Sequence, residues 1–165
     1  METQHKKRRR KRRESKKVKG VVRLIFFAYV GFMVWLLFVL GMENSSTIMM
    51  EGEYNLNLIP FSTINMYIEA MKSTTNAFVM RQIFVGLAAN VVLFIPLGFF
   101  LPWIWKKLRS FFKTFGVIVL VILGIELVQL MTLVGSCDID DFLLNTLGAL
   151  IGYLIWIIFK KKTNK

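Results

Sequence analysis

Four stretches of this chain are each apolar for close to the length that crosses a lipid bilayer: Leu24–Leu40, Ile83–Trp105, Phe115–Val134 and Phe142–Phe159. About 30 Å of hydrocarbon takes roughly 20 helical residues. No water reaches the backbone there, so a spanning segment must pair its own amides, and a helix does so. The fold class predicted is all-α integral membrane, with four transmembrane helices. The chain is 55% hydrophobic with a mean hydropathy of +0.55, more apolar surface than a soluble domain of this length can bury. The first segment has a basic flank like a signal peptide. Its apolar core is long, however, and Gly41-Met42-Glu43-Asn44 is no small-residue cleavage site, so it reads as an uncleaved anchor.

Charge gives the orientation. The net charge is +12, and residues 1–23 alone hold twelve Lys and Arg, from Lys6 to Arg23. Lys106, Lys107, Arg109 and Lys113 separate the second and third segments, and Lys160, Lys161, Lys162 and Lys165 follow the fourth. Only Lys72 and Arg81 fall between the first two. Basic loops stay inside, which makes both termini cytoplasmic and turns residues 42–82 and Gly135–Asp141 outward. Glu43, Glu51, Glu53 and Glu69 then lie outside. The organisation is a basic tail at 1–23, a membrane domain at 24–159 and a short basic tail at 160–165. The long tail suits anionic inner-leaflet lipid, and no specific nucleic acid is expected. In the outer loop, Ile64, Ile68 and Met71 recur at helical spacing after Pro60, which predicts a short interfacial helix.

Polar residues inside the apolar segments are few. The second holds Asn90 and Pro96; the proline lacks an N–H and frees a carbonyl near Val92. The third holds Glu126 and Gln129 on one helix face. A charge at mid-bilayer costs about 2.5–3.5 kcal/mol on insertion scales, so Glu126 must be neutral, paired or facing water. The fourth opens on Asp138, Asp140 and Asp141, three carboxylates within four residues. Asp141, Asn145, Gly148 and Gly152 then form one stripe, polar at its outer end and small at its inner end. Pro96, Gly148 and Gly152 are candidates for helix packing. The polar groups all fall in the outer half, which predicts an outward-facing pocket lined by Asn90, Glu126, Gln129, Asp138, Asp140, Asp141 and Asn145.

These residues resemble the VanZ-like family of bacterial membrane proteins. The resemblance rests on Asn57-Leu58-Ile59-Pro60-Phe61, on Asn90 to Gly98, on Glu126-Leu127-Val128-Gln129 and on Asp138 to Gly148, in the family's order, over about residues 55–153. It implies a polytopic plasma-membrane protein. The founding member is associated with resistance to glycopeptide antibiotics, teicoplanin more than vancomycin. Many members carry an arginine shortly before the acidic turn. This chain has Gly135-Ser136-Cys137 there, which leaves Arg81 as the candidate anion contact.

The function expected is binding of a lipid-linked or amphipathic envelope molecule in the outer pocket, with an influence on lipoglycopeptide susceptibility. The alternatives are an intramembrane enzyme acting on a lipid-linked substrate and a small transporter or channel subunit. The pocket has no histidine and no nucleophile–base pair, and acids beside Ser136 and Cys137 would not activate a thiol. The inner halves of the segments lack the polar groups a pathway needs. The expected partners are membrane lipids and lipid-linked cell-wall molecules. No cofactor is called for, although oxygen ligands at the aspartates suit Mg²⁺ or Ca²⁺.

Overall fold

The computed structural model describes residues 17–39, 56–132 and 137–163. In chain order the helices are α1 Lys17–Val39, then α2 Ser62–Ser73, α3 Ala77–Ile104, α4 Phe111–Thr132 and α5 Ile139–Thr163. All but α2 are long and apolar enough to cross a membrane. Parts of the sequence reading lie outside the described residues: the tail before Lys17, the loop at 40–55 with Glu43, Glu51 and Glu53, Gly135 and Ser136, and Lys165.

The ends of the spans differ from the hydropathy reading. The first helix already includes Lys17, inside the stretch assigned to the tail, because Lys and Arg are good helix formers and apolar periodicity does not register a charged turn. α3 begins at Ala77, well before Ile83. Asn76 caps it there, its side chain accepting the Phe78 N–H at 2.9 Å.

Phe26 and Met33 of α1 pack with Phe94, Leu97 and Leu101 of α3, Ile118 and Ile122 of α4, and Ala149 of α5. Outward faces carry exposed Phe27, Trp35, Phe84, Leu120, Leu127 and Leu154. In water such a surface would aggregate; against lipid it is ordinary.

α3 and α5 make the most extensive pairing. A Cβ on Gly98 would overlap the Ala149 carbonyl oxygen, one on Gly148 that of Val91, and one on Gly152 that of Ile95. The two backbones are in direct contact, which suits lipid, where dispersion rather than water exclusion holds helices together. Pro96 and Pro102 both lie inside α3, and the helix continues through them. Beside the carbonyl that Pro96 leaves without its helical donor, the Tyr29 hydroxyl donates to the Leu93 carbonyl at 2.6 Å, tying α1 to the proline turn.

At the acidic end, β1 Leu56–Asn57 runs parallel to β2 Cys137–Asp138, Leu56 opposite Cys137 and Asn57 opposite Asp138. The two-residue ladder fastens the long loop to the turn before α5. At the basic end, α3 leads through a 3₁₀ turn, Lys106–Leu108, into α4. The Thr114 hydroxyl donates to the Leu108 carbonyl, and the Tyr153 hydroxyl donates to the Arg109 carbonyl at 3.2 Å.

Candidate functional site

Asp138 stands immediately before α5. Its Oδ1 accepts the Asp140 N–H at 2.8 Å, a local cap for the helix start. Its Oδ2 accepts the Thr63 hydroxyl at 2.5 Å and the Asn57 amide at 3.3 Å, while that amide also donates to Thr63 Oγ1 at 2.9 Å. One carboxylate thus joins β1, α2 and α5.

Asp140 is fully buried. Its Oδ1 accepts the Phe61 N–H at 2.6 Å and its Oδ2 the Ile64 N–H at 3.0 Å. Phe61 is the N-cap of α2, sits in the left-handed region at φ 63°, and supplies no side-chain acceptor. In a capping box two side chains of one helix serve the N-cap amide and the third helical amide. Here a single carboxylate from α5 serves both. The negative charge also suits the N-terminal dipole of α2.

Asp141 turns toward α3, where the Asn90 side-chain amide donates to its Oδ1. One turn further into α5, Asn145 is 3% exposed, and its Oδ1 has no hydrogen-bond partner. Thr146 Oγ1 is likewise buried and unpartnered. Glu126 reaches the cluster from α4, beside the Asp138 backbone and within electrostatic range of Asp141. It is 5% exposed, and its Oε2 has no partner. Burial pushes the Cys137 thiol above its ordinary pKa, and the Glu126 and Asp138 carboxylates push it further. The thiol is therefore less ionised at neutral pH, and less nucleophilic, than that of a free cysteine.

Asn90, Glu126, Asp138, Asp140, Asp141 and Asn145 lie at one end of the molecule. One predicted member is placed differently. Gln129 lines an apolar groove of about 250 Å³ between α1 and α4, with Leu37, Phe38 and Ile125 among its walls. Arg81, the candidate anion contact, is exposed on α3; the donors on the aspartates are Asn57, Phe61, Thr63, Ile64 and Asn90. The aspartates also differ from a simple rim, since each already holds a protein donor. Among the described residues no three His, Cys, Asp or Glu side chains are grouped to hold a metal ion.

The sequence reading leaves out Asn57, Thr63 and Tyr67 as site residues. Burial raises the Tyr67 hydroxyl above its ordinary pKa, and the Asp141 and Asp138 carboxylates, within electrostatic range, add to the shift. Thr63 and Tyr67 are four residues apart on α2, a spacing that puts both on one face.

The profile of the VanZ/LLP1 family matches residues 26–160. Protein VanZ of Enterococcus faecium is 24% identical over 147 residues, covering 89% of this chain and 80% of that protein. No solved structure matches the chain. The profile match runs from α1 through the whole acidic cluster to the last turns of α5, and the chain belongs to the VanZ/LLP1 family.

Proposed function

We propose that this protein binds the polar head of a lipid-linked or amphipathic envelope molecule beneath the acidic turn and thereby alters susceptibility to teicoplanin-type lipoglycopeptides. The observation that carries this reading is the unsatisfied pair, Glu126 Oε2 and Asn145 Oδ1, buried beside Asp141 with no protein donor. A buried acceptor left alone costs about 1–3 kcal/mol, and more when charged. A donor-bearing ligand, such as an amine or a sugar hydroxyl, would offset that cost. The α1–α4 groove flanks Glu126 through Ile125 and supplies an apolar wall for an acyl or isoprenoid tail. The distribution of Lys and Arg supports a bacterial plasma-membrane topology with both termini cytoplasmic and the acidic end outside. The likeness to Protein VanZ of Enterococcus faecium supports the link to antibiotic susceptibility.

The test is lipid co-purification. Wild type, Glu126→Gln and Asp141→Asn are purified from bacterial membranes and their bound lipids identified by mass spectrometry. A defined amphipathic species enriched on wild type and depleted in both variants is expected. Bound lipid that mirrors bulk membrane composition, or is unchanged in the variants, would remove the basis for the proposal.

A further inference from the structure

We infer a second lipid site at the opposite end of the molecule: a basic cleft that holds the phosphate of an anionic phospholipid. The cleft, of about 430 Å³, is lined by Arg109, Tyr153, Trp156, Ile157, Lys160 and Lys161. Its α5 members recur at helical spacing and so form one face of that helix. Along this face the chemistry changes in the order a lipid presents. Trp156 and Ile157 supply the apolar wall, Trp156 being buried, and the two exposed lysines stand one turn beyond. Lys160 Nζ lies 5.1 Å from the centre of the Trp156 ring, which holds its ammonium over the cleft. Tyr153 bonds the Arg109 carbonyl and fixes the loop from which that guanidinium projects. Phe111 packs edge-on against Tyr153 at 5.7 Å and brings the N-terminal end of α4 alongside.

Among the described residues no acid opposes these cations. Among the described residues the Asp and Glu side chains are Glu69, Glu126, Asp138, Asp140 and Asp141, in α2, the distal half of α4 and the turn into α5. Three cations around one opening therefore face no counter-charge from the described residues. Such pockets between spanning helices recruit anionic headgroups, and a guanidinium suits a phosphate's paired oxygens. The apolar wall beneath the cations favours phospholipid over free phosphate.

Full-length protein in detergent is titrated with phosphatidylglycerol or phosphatidylcholine, and bound lipid is counted by native mass spectrometry. One tightly held phosphatidylglycerol is expected, with binding about a hundredfold weaker in Arg109→Gln/Lys160→Gln/Lys161→Gln. It should be retained in Arg8→Gln/Arg9→Gln/Arg10→Gln, which removes equal charge from the tail. Equal losses in both variants, equal binding of the two lipids, or complete displacement by millimolar inorganic phosphate would each overturn the site. A photoreactive phosphatidylglycerol on wild type gives a reading that does not depend on variants folding. Crosslinks within residues 153–161 or at Arg109 are expected, and crosslinks confined to other segments would refute it.

Discussion

Asp140 is buried, and its carboxylate is held by two backbone amides at the start of another helix. One amide is that of the cap residue, Phe61, whose side chain can serve neither, and the other is that of Ile64. Asp140→Ala leaves both amides unpaired and is expected to cost on the order of 2–3 kcal/mol. Thermal melting in detergent would register the loss, and α2 would become cleavable by trypsin at Lys72. Asp140→Asn keeps one acceptor and should lose less. A second residue-scale prediction concerns Cys137. Its thiol is raised by burial and by neighbouring carboxylates, so the thiolate fraction at neutral pH falls below that of free cysteine. Maleimide labelling should be slow at pH 7 and should keep accelerating with pH beyond the point where a free cysteine levels off. Labelling as fast as free cysteine at pH 7 would contradict this placement. The carboxylates themselves are legible in the sequence. Their division of labour is not, because Asp140 caps a helix 76 residues earlier in the chain, beyond the reach of any local capping pattern.

Among the elements, α3 and α5 touch backbone to backbone through Gly98, Gly148 and Gly152. The stripe from Asp141 to Gly152 is readable because its spacing follows the helical period. Gly98 is not readable in the same way, since nothing in its own segment says which helix lies opposite. Gly148→Leu is expected to force the helices apart and lower the melting temperature, with a cost of about 1–3 kcal/mol or more. Gly116→Ala, where an added methyl meets open space, should be neutral or slightly stabilising. Equal effects at the two positions would mean that α3 and α5 are not in close contact. Gln129 illustrates the limit of face arguments. It shares a helical face with Glu126 by spacing, yet a difference of about 60° in direction is enough to put it in the α1–α4 groove.

Across the whole molecule, chemistry is divided by end. One end is acidic, with buried carboxylates and unpaired acceptors; the other is basic, with cations around a cleft. Charge asymmetry of this kind sets orientation in a membrane, and Cys137, the sole cysteine, reports on it. A membrane-impermeant maleimide at pH 8.5 should label Cys137 in intact cells, and labelling only after lysis would reverse the assigned sides. Two aspartates of the turn, Asp138 and Asp140, build the structure, whereas Glu126 Oε2 has no protein partner and is the group proposed to meet a ligand. The most direct measurement is the melting temperature of ligand-free Glu126→Gln in detergent. Replacing a buried carboxylate that has an unpartnered oxygen should leave stability at or above wild type. A fall as large as that of Asp140→Ala would show that Glu126 holds the fold together, and would contradict the account.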